Sequence, residues 1–216
     1  MNDLNEHIRN LRKDYAKGIL DEHQVHPDPL KQFGSWFHEA LKAELEEPYA
    51  MTLATVDATG QPSARVVLLR GFDERGFMFF TNYQSRKGQD LAANPKASLL
   101  FHWAELERQI RIEGMVEMAD AHDSDKYFLS RPRESRIGAW ASPQSQVIQG
   151  REELENLLKQ RVDMFEGTEV NRPAHWGGYV LRPSNVEFWQ GRPSRLHDRV
   201  RYKLQNGLWA IERLAP

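Results

Sequence analysis

The chain has 216 residues, 40% of them apolar and 28% charged, the balance of a soluble globular protein and not of a disordered or membrane-bound one. Its net charge of −2 argues against a general nucleic-acid binder, and the lack of cysteine excludes disulfides, thiolate nucleophiles, iron–sulfur clusters and thiolate zinc sites. No apolar run is long enough to span a bilayer, and the first residues, with Asp3, Glu6, His7 and Arg9, hold no apolar leader core, so a cytoplasmic protein without membrane, nucleic-acid or metal partners is expected.

Residues 1–25 are polar, with a short helical pattern in Leu4, Ile8 and Leu11, and read as an arm ahead of a folded body over 26–216. His26-Pro-Asp-Pro29 breaks any helix; Asp28 is placed to cap the next one, with Pro29 at its first position and Phe33, Trp36, Phe37, Ala40 and Leu41 at helical spacing. From residue 50 the period changes. Met51 to Val56, Ser63 to Arg70 and Phe77 to Thr81 read as strands, the first two joined by the turn Asp57-Ala-Thr-Gly60. Ala97 to Trp103 and Arg108 to Met118 follow, the latter interrupted at Gly114, where a bulge or bend is expected. Helical patterns occupy 120–130 and 150–166. The chain returns to strand at Trp176 to Leu181 and Val186 to Gln190, and closes in a hairpin around Asn206-Gly207. The sum is a mainly β protein with helices, a closed or sandwiched antiparallel sheet, with no dinucleotide fingerprint, Walker loop, zincin or nucleophile-elbow motif.

Four constellations carry charge suited to small anions. Ser85-Arg-Lys87 opens a helix, where backbone N–H groups and two cations converge; the alternative is a solvated first turn. Arg65 and Arg70 flank Val66-Val-Leu-Leu69 and, five residues apart in a strand, point to opposite faces. Tyr127, Arg131 and Ser135 are spaced by four, a donor set for a phosphate dianion if the helix or a turn brings them together; otherwise Tyr127 packs and Arg131 pairs with Glu134. Arg195-Leu-His197-Asp-Arg199, if extended, sets Arg195, His197 and Arg199 on one face near Trp189.

Glu187-Phe-Trp-Gln190, four residues, then Arg195-Leu-His-Asp-Arg199 resembles the signature of the pyridoxamine/pyridoxine 5′-phosphate oxidases. The likeness runs along most of the chain, through Leu11-Arg-Lys-Asp-Tyr15, Arg65-Val-Val-Leu-Leu-Arg70, Phe80-Thr-Asn82, Leu106-Glu-Arg-Gln109 and Tyr127-Phe-Leu-Ser-Arg-Pro-Arg133 to Trp176-Gly-Gly178 and Arg213-Leu-Ala-Pro216. It implies a homodimeric FMN-binding split β-barrel that oxidises pyridoxamine and pyridoxine 5′-phosphates to pyridoxal 5′-phosphate, O2 accepting the electrons and H2O2 leaving. On matching positions, Arg65, Arg86 and Lys87 would hold the FMN phosphate, and Val66, Val67, Leu68, Leu69, Arg70, Phe80 and Thr81 would line the cofactor. Gln109, Gln144, Ser145, Trp189 and Arg199 would address its ring and ribityl chain, some from the partner subunit. Arg70, Tyr127, Arg131 and Ser135 would take the substrate phosphate, Arg195 and His197 would flank the pyridine as the catalytic pair, and Arg12 and Tyr15 of the arm would close over it. Where the family usually carries Lys, this chain has Arg70, which keeps the charge but is bulkier and grips phosphate bidentately. The alternatives are another split-barrel reductase, a flavin or pyridoxal-phosphate carrier, and a structural barrel with solvated arginines.

Overall fold

The computed structural model describes residues 2–11 and 14–216. In chain order come α1 (Asn2–Asn10), α2 (Pro29–Lys42), β1 (Ala50–Val56), β2 (Pro62–Leu68), β3 (Gly71–Asp73) and β4 (Gly76–Asn82). Next are α3 (Arg86–Ala93), β5 (Lys96–Trp103), β6 (Arg108–Met118), α4 (Ala121–Ser130), α5 (Arg133–Ala141) and α6 (Arg151–Met164). β7 (Trp176–Gln190), a 3-10 turn at Pro193–Arg195, β8 (Asp198–Gln205) and β9 (Leu208–Leu214) complete the chain. It divides into two compact units, one of Met1–Pro48, His102–Arg111 and Val186–Pro216, the other of Tyr49–Phe101 and Ile112–Asn185. No helix among the described residues is long and apolar enough to cross a membrane.

In the first unit α2 starts where the sequence says it should: Asp28 accepts from the Leu30 N–H at 2.8 Å, and Pro29 opens the first turn. Its buried face is Phe33, Trp36 and Ala40, with Trp36 edge-on to Phe188 at 5.1 Å. Burying two such rings stabilises the unit by roughly 2–3 kcal/mol each. Leu41 departs from the expected stripe and is 51% exposed. At ~100° per residue it lies ~80° around the helix from Phe33, on the edge of the apolar face. β8 and β9 pair from Arg199↔Leu214 to Gln205↔Leu208 across Asn206 and Gly207, whose φ of 50° and 81° form the hairpin turn. Val200 and Tyr202 alternate into the core, both fully buried.

In the second unit the strand order is β2-β1-β5-β6-β7-β4-β3. β1 and β4 bury alternate residues, Met51, Leu53 and Thr55 on one and Phe77, Phe79 and Thr81 on the other. β2 ends at Leu68, so Arg70 lies past the strand expected to reach it, and Gly71–Asp73 forms a further short strand against β4. β7 is one strand where the sequence suggested two. Just past Pro183 the Ser184 hydroxyl donates to the Glu113 carbonyl at 3.3 Å and the Asn185 amide to the Glu113 carboxylate at 2.9 Å, so side chains hold the strand together there. Gly114 is needed for close approach within an unbroken β6: a Cβ there would lie 1.9 Å from the Arg182 carbonyl oxygen. Helix α5 was not expected at all. Pro132 forces Arg131 out of the helical region, at φ −77° and ψ 150°, and a new helix starts directly after it.

Tyr179 of β7 packs against Phe79 at 5.7 Å and Tyr83 at 5.2 Å, and burial, reinforced by Tyr83, pushes its phenol up to about 12. The folded state therefore favours the neutral phenol. Tyr179's contribution to stability is intact below the ordinary value of 10.0 and is lost as pH rises towards about 12. Thermal melts across pH 9–12 are expected to show Tm falling above pH 10, with a shallower fall in Tyr179→Phe; parallel curves would remove Tyr179 as the cause.

Candidate active site

The second unit holds a cavity of about 650 Å³, within the range of small-molecule sites. Val66, Val67 and Leu68 of β2 line it, and Val66 is 66% exposed. Also lining it are Pro132, which precedes α5, and Ser135, Gly138 and Ala139 along that helix, whose N-terminus has no side-chain cap. An uncapped helix start leaves N–H groups free for an anion.

Arg70, Tyr127, Arg131 and Ser135 all line this cavity. Tyr127 stacks on Phe80 at 4.1 Å, and Phe80 on Trp176 at 5.5 Å. The Arg131 guanidinium lies 4.8 Å from the Trp176 ring centre, while Arg70 lies 5.9 Å from that of Tyr127. Thus α4 ends at Ser130, yet the turn through Pro132 still brings Tyr127, Arg131 and Ser135 together. Tyr127 does pack, the alternative to a phosphate donor, but its stacking forms part of the cavity lining. Arg131 makes no pair with Glu134: its Nη1 is buried without a hydrogen-bond partner. Burial, with Arg70 adding like charge, holds its guanidinium below the usual value. A buried donor without an acceptor, beside hydroxyls and a second cation, fits a phosphate.

A second cationic cluster lies at the start of α3. Ser85 caps the helix, accepting from the Gly88 N–H at 3.4 Å. Lys87 lines the cavity, its Nζ donating to Gln144 Oε1 at 3.1 Å, Thr81 Oγ1 at 3.2 Å and Ser85 Oγ at 3.3 Å. Burial lowers its ammonium below the usual value, with the charge of Arg65 adding to the effect. Arg65 turns the other way, donating to the Leu53 carbonyl, Thr55 and Ser63, 3.7 Å from the buried Asp90. Arg65 and Arg70 thus lie in different clusters, but Arg70 is past the end of β2, so strand alternation is not what separates them. Arg65, Leu69, Arg86 and Ser145 do not line the cavity; Leu69 is buried and Arg86 and Ser145 are exposed.

The first unit holds the remaining candidates. Trp189 and His197 lie 4.6 Å apart, with Tyr15 5.7 Å from each. The Arg192 N–H donates to His197 Nδ1 at 3.1 Å, which leaves Nε2 to carry the ring hydrogen. Arg199 donates from Nε to the buried Glu187 at 2.8 Å and from Nη1 to the Ala215 carbonyl at 2.8 Å. Gln109 is half-buried on β6. The expected extended run from Arg195 to Arg199 does not form: Ser194 and Arg195 are left-handed, at φ 57° and 60°, and β8 starts only at Asp198. A 3-10 turn after Pro193 therefore sets the direction of Arg195, which is exposed. Two consecutive non-glycine residues in that region carry strain of about 1–3 kcal/mol each, the kind that collects at functional sites. Arg12 lies outside the described residues.

Trp176, on which Arg131 rests, and Glu187, which holds Arg199, had no role in the sequence reading. Each stood inside a quoted motif, but only packing shows what they support.

A model of the pyridoxamine 5′-phosphate oxidase family matches residues 37–160, and one of the pyridoxine 5′-phosphate oxidase C-terminal dimerisation region matches 176–216. The chain is 59% identical over 210 residues to a pyridoxine/pyridoxamine 5′-phosphate oxidase of Cupriavidus necator, covering 97% of this chain and 99% of that one. A namesake from Polynucleobacter asymbioticus is 60% identical over 209 residues, covering 97% and 99%. The crystal structure of PhzG from Burkholderia lata, in complex with tetrahydrophenazine-1-carboxylic acid, superposes with a TM-score of 0.88 at 30% identity, covering 94% of this chain and all of that one. The mainly antiparallel sheet with its helices is a split β-barrel, and the protein is of the flavin-using oxidoreductase class built on that fold. Within that class, the chain belongs to the pyridoxamine 5′-phosphate oxidase family. It is an enzyme, and its dimerisation region makes it a homodimer.

Proposed function

We propose that the enzyme binds FMN and oxidises pyridoxamine 5′-phosphate and pyridoxine 5′-phosphate to pyridoxal 5′-phosphate in the cytoplasm, with O2 as acceptor and H2O2 as product. The observation that carries this reading is Arg131: a buried guanidinium nitrogen without an acceptor, set among Tyr127, Ser135 and Arg70. A phosphate dianion supplies the missing acceptors.

Lys87, with Arg65 and Arg86 adding positive charge nearby, binds the FMN phosphate, and the apolar strip Val66 to Leu68 supports the flat ring system. Bound FMN supplies what no side chain can, acceptance of a hydride from the substrate C4′ and its passage as electrons to O2. Arg70, Tyr127, Arg131 and Ser135 anchor the substrate phosphate, which makes the reacting groups effectively intramolecular. His197 presents an Nε2–H donor to the polar substituents of the pyridine ring, Arg195 flanks the ring, and Tyr15 of the arm closes over it with Arg12. Trp189, Gln109, Gln144 and Ser145 contact the cofactor, and Arg199, aligned by Glu187, offers positive charge where reduction builds negative charge.

An absorbance spectrum of the purified protein, before and after anaerobic addition of pyridoxamine 5′-phosphate, tests this. Flavin bands that bleach and return with air, leaving pyridoxal 5′-phosphate, are expected. Bands indifferent to the phosphorylated amine, or equally responsive to pyridoxamine without its phosphate, would overturn the substrate assignment. Arg195→Ala is expected to lower kcat/KM by about 100-fold while the protein still purifies yellow. A colourless variant would move Arg195 to the cofactor.

A further inference from the structure

Residues 16–20 of the arm are fastened to the first unit chiefly through their backbone. Glu107 Oε2 accepts from the Ala16 N–H at 2.7 Å and from the Lys17 N–H at 3.0 Å. Arg192 Nη1 donates to the Gly18 carbonyl at 3.0 Å, and Asp198 Oδ2 accepts from the Leu20 N–H at 3.1 Å. Glu107 itself is 4% exposed and left-handed, at φ 55°, in the turn between β5 and β6. Its carbonyl accepts from the Gly191 N–H at 2.7 Å, and a Cβ on residue 191 would meet Tyr15 Cβ at 2.8 Å. Glu107, Gly191 and Tyr15 therefore form one packed contact beside Trp189 and His197.

We propose that Glu107 is a positioning residue, whose carboxylate holds the arm in the register that sets Tyr15 against Trp189 and His197. A carboxylate is a pure acceptor and takes two successive N–H groups on one oxygen; a charged acceptor makes these bonds stronger than a neutral one does. If the arm lifts, this buried carboxylate loses both donors, so the open state is penalised from both sides of the contact. Because the donors are main-chain, the anchor fixes register whatever side chains the arm carries. The proposal rests on the reading of Tyr15 and His197 as substrate-site residues.

The test compares the flavin-loaded wild type with Glu107→Ala by two measurements. Limited trypsin cleavage after Lys17, referenced to cleavage after Arg9, reports release of the arm without reference to activity. In Glu107→Ala it is expected to quicken by about ten- to a hundredfold. Steady-state kinetics with pyridoxamine 5′-phosphate are expected to show KM raised about tenfold, with kcat and flavin content within about twofold of wild type. Glu107→Gln, which keeps an acceptor oxygen, should recover most of both effects. Should Glu107→Ala not fold, Gly191→Ala displaces Tyr15 from the other side and is expected to raise cleavage and KM together. Unchanged cleavage overturns the anchor; faster cleavage with unchanged KM overturns the link to the substrate site. A wild type that oxidised no phosphorylated substrate would be a failure of the functional reading instead, and the cleavage rates would still decide whether Glu107 holds the arm.

Discussion

Arg131→Met is expected to raise the KM for pyridoxamine 5′-phosphate by about 100-fold or more, leave the flavin bound, and leave the ligand-free protein as stable as the wild type or more so. The two halves of this result have one cause. Arg131 Nη1 is buried without a partner, so the ligand-free fold carries an incompletely compensated charge above Trp176. Methionine keeps an unbranched apolar stem on that ring and removes a buried donor left without an acceptor, a defect that costs about 1–3 kcal/mol. In a chain of this size each 1 kcal/mol moves Tm by about 2–4 °C. The phosphate, by contrast, loses a buried donor, and charge-assisted bonds of that kind contribute about 1.5–3 kcal/mol each. Substrate titration and thermal melts on one preparation measure both. A clear fall in ligand-free Tm with KM unchanged would make Arg131 a packing residue.

Lys87→Ala is expected to weaken FMN binding by about 10- to 100-fold, the loss of one or two charge-assisted bonds, so that the protein emerges from gel filtration largely colourless. Lys87 is the better test of this cluster than Arg65, because the Arg65 donors are already given to Leu53, Thr55 and Ser63. Removing Arg65 would also leave the buried Asp90 without its cation, mixing stability with affinity. Among the described residues Lys87 is held by Thr81, Ser85 and Gln144, each of which keeps other partners or solvent when it goes. Fluorescence titration of flavin-stripped protein gives the affinity directly. An unchanged Kd would shift the phosphate contact away from Lys87.

The strands and most helices were legible because their signals are local. Asp28-Pro29 starts α2 by capping and fixed φ, Asn206-Gly207 makes a turn that suits few other dipeptides, and alternation marks β1 and β4. The missed features depend on residues far apart in sequence. β7 continues through Pro183 because Glu113 supplies bonds to Ser184 and Asn185, and α5 restarts after Pro132 where spacing alone suggested an end. The turn at Ser194 and Arg195 could not be read either, since left-handed backbone at ordinary residues is imposed by surroundings and not by preference.

By itself, the sequence determined most of the strands and helices in their order and the resemblance that the comparisons bore out, because both rest on residue type and short spacing. Only the tertiary structure decided which cations have partners within the fold and which keep an unmet donor. Arg65 and Arg199 are engaged by carbonyls, hydroxyls and carboxylates, while Arg131 keeps a buried nitrogen without an acceptor. The physical reason is that a guanidinium's availability depends on burial and on the acceptors within about 3 Å, and those are brought together by the fold from positions tens of residues away.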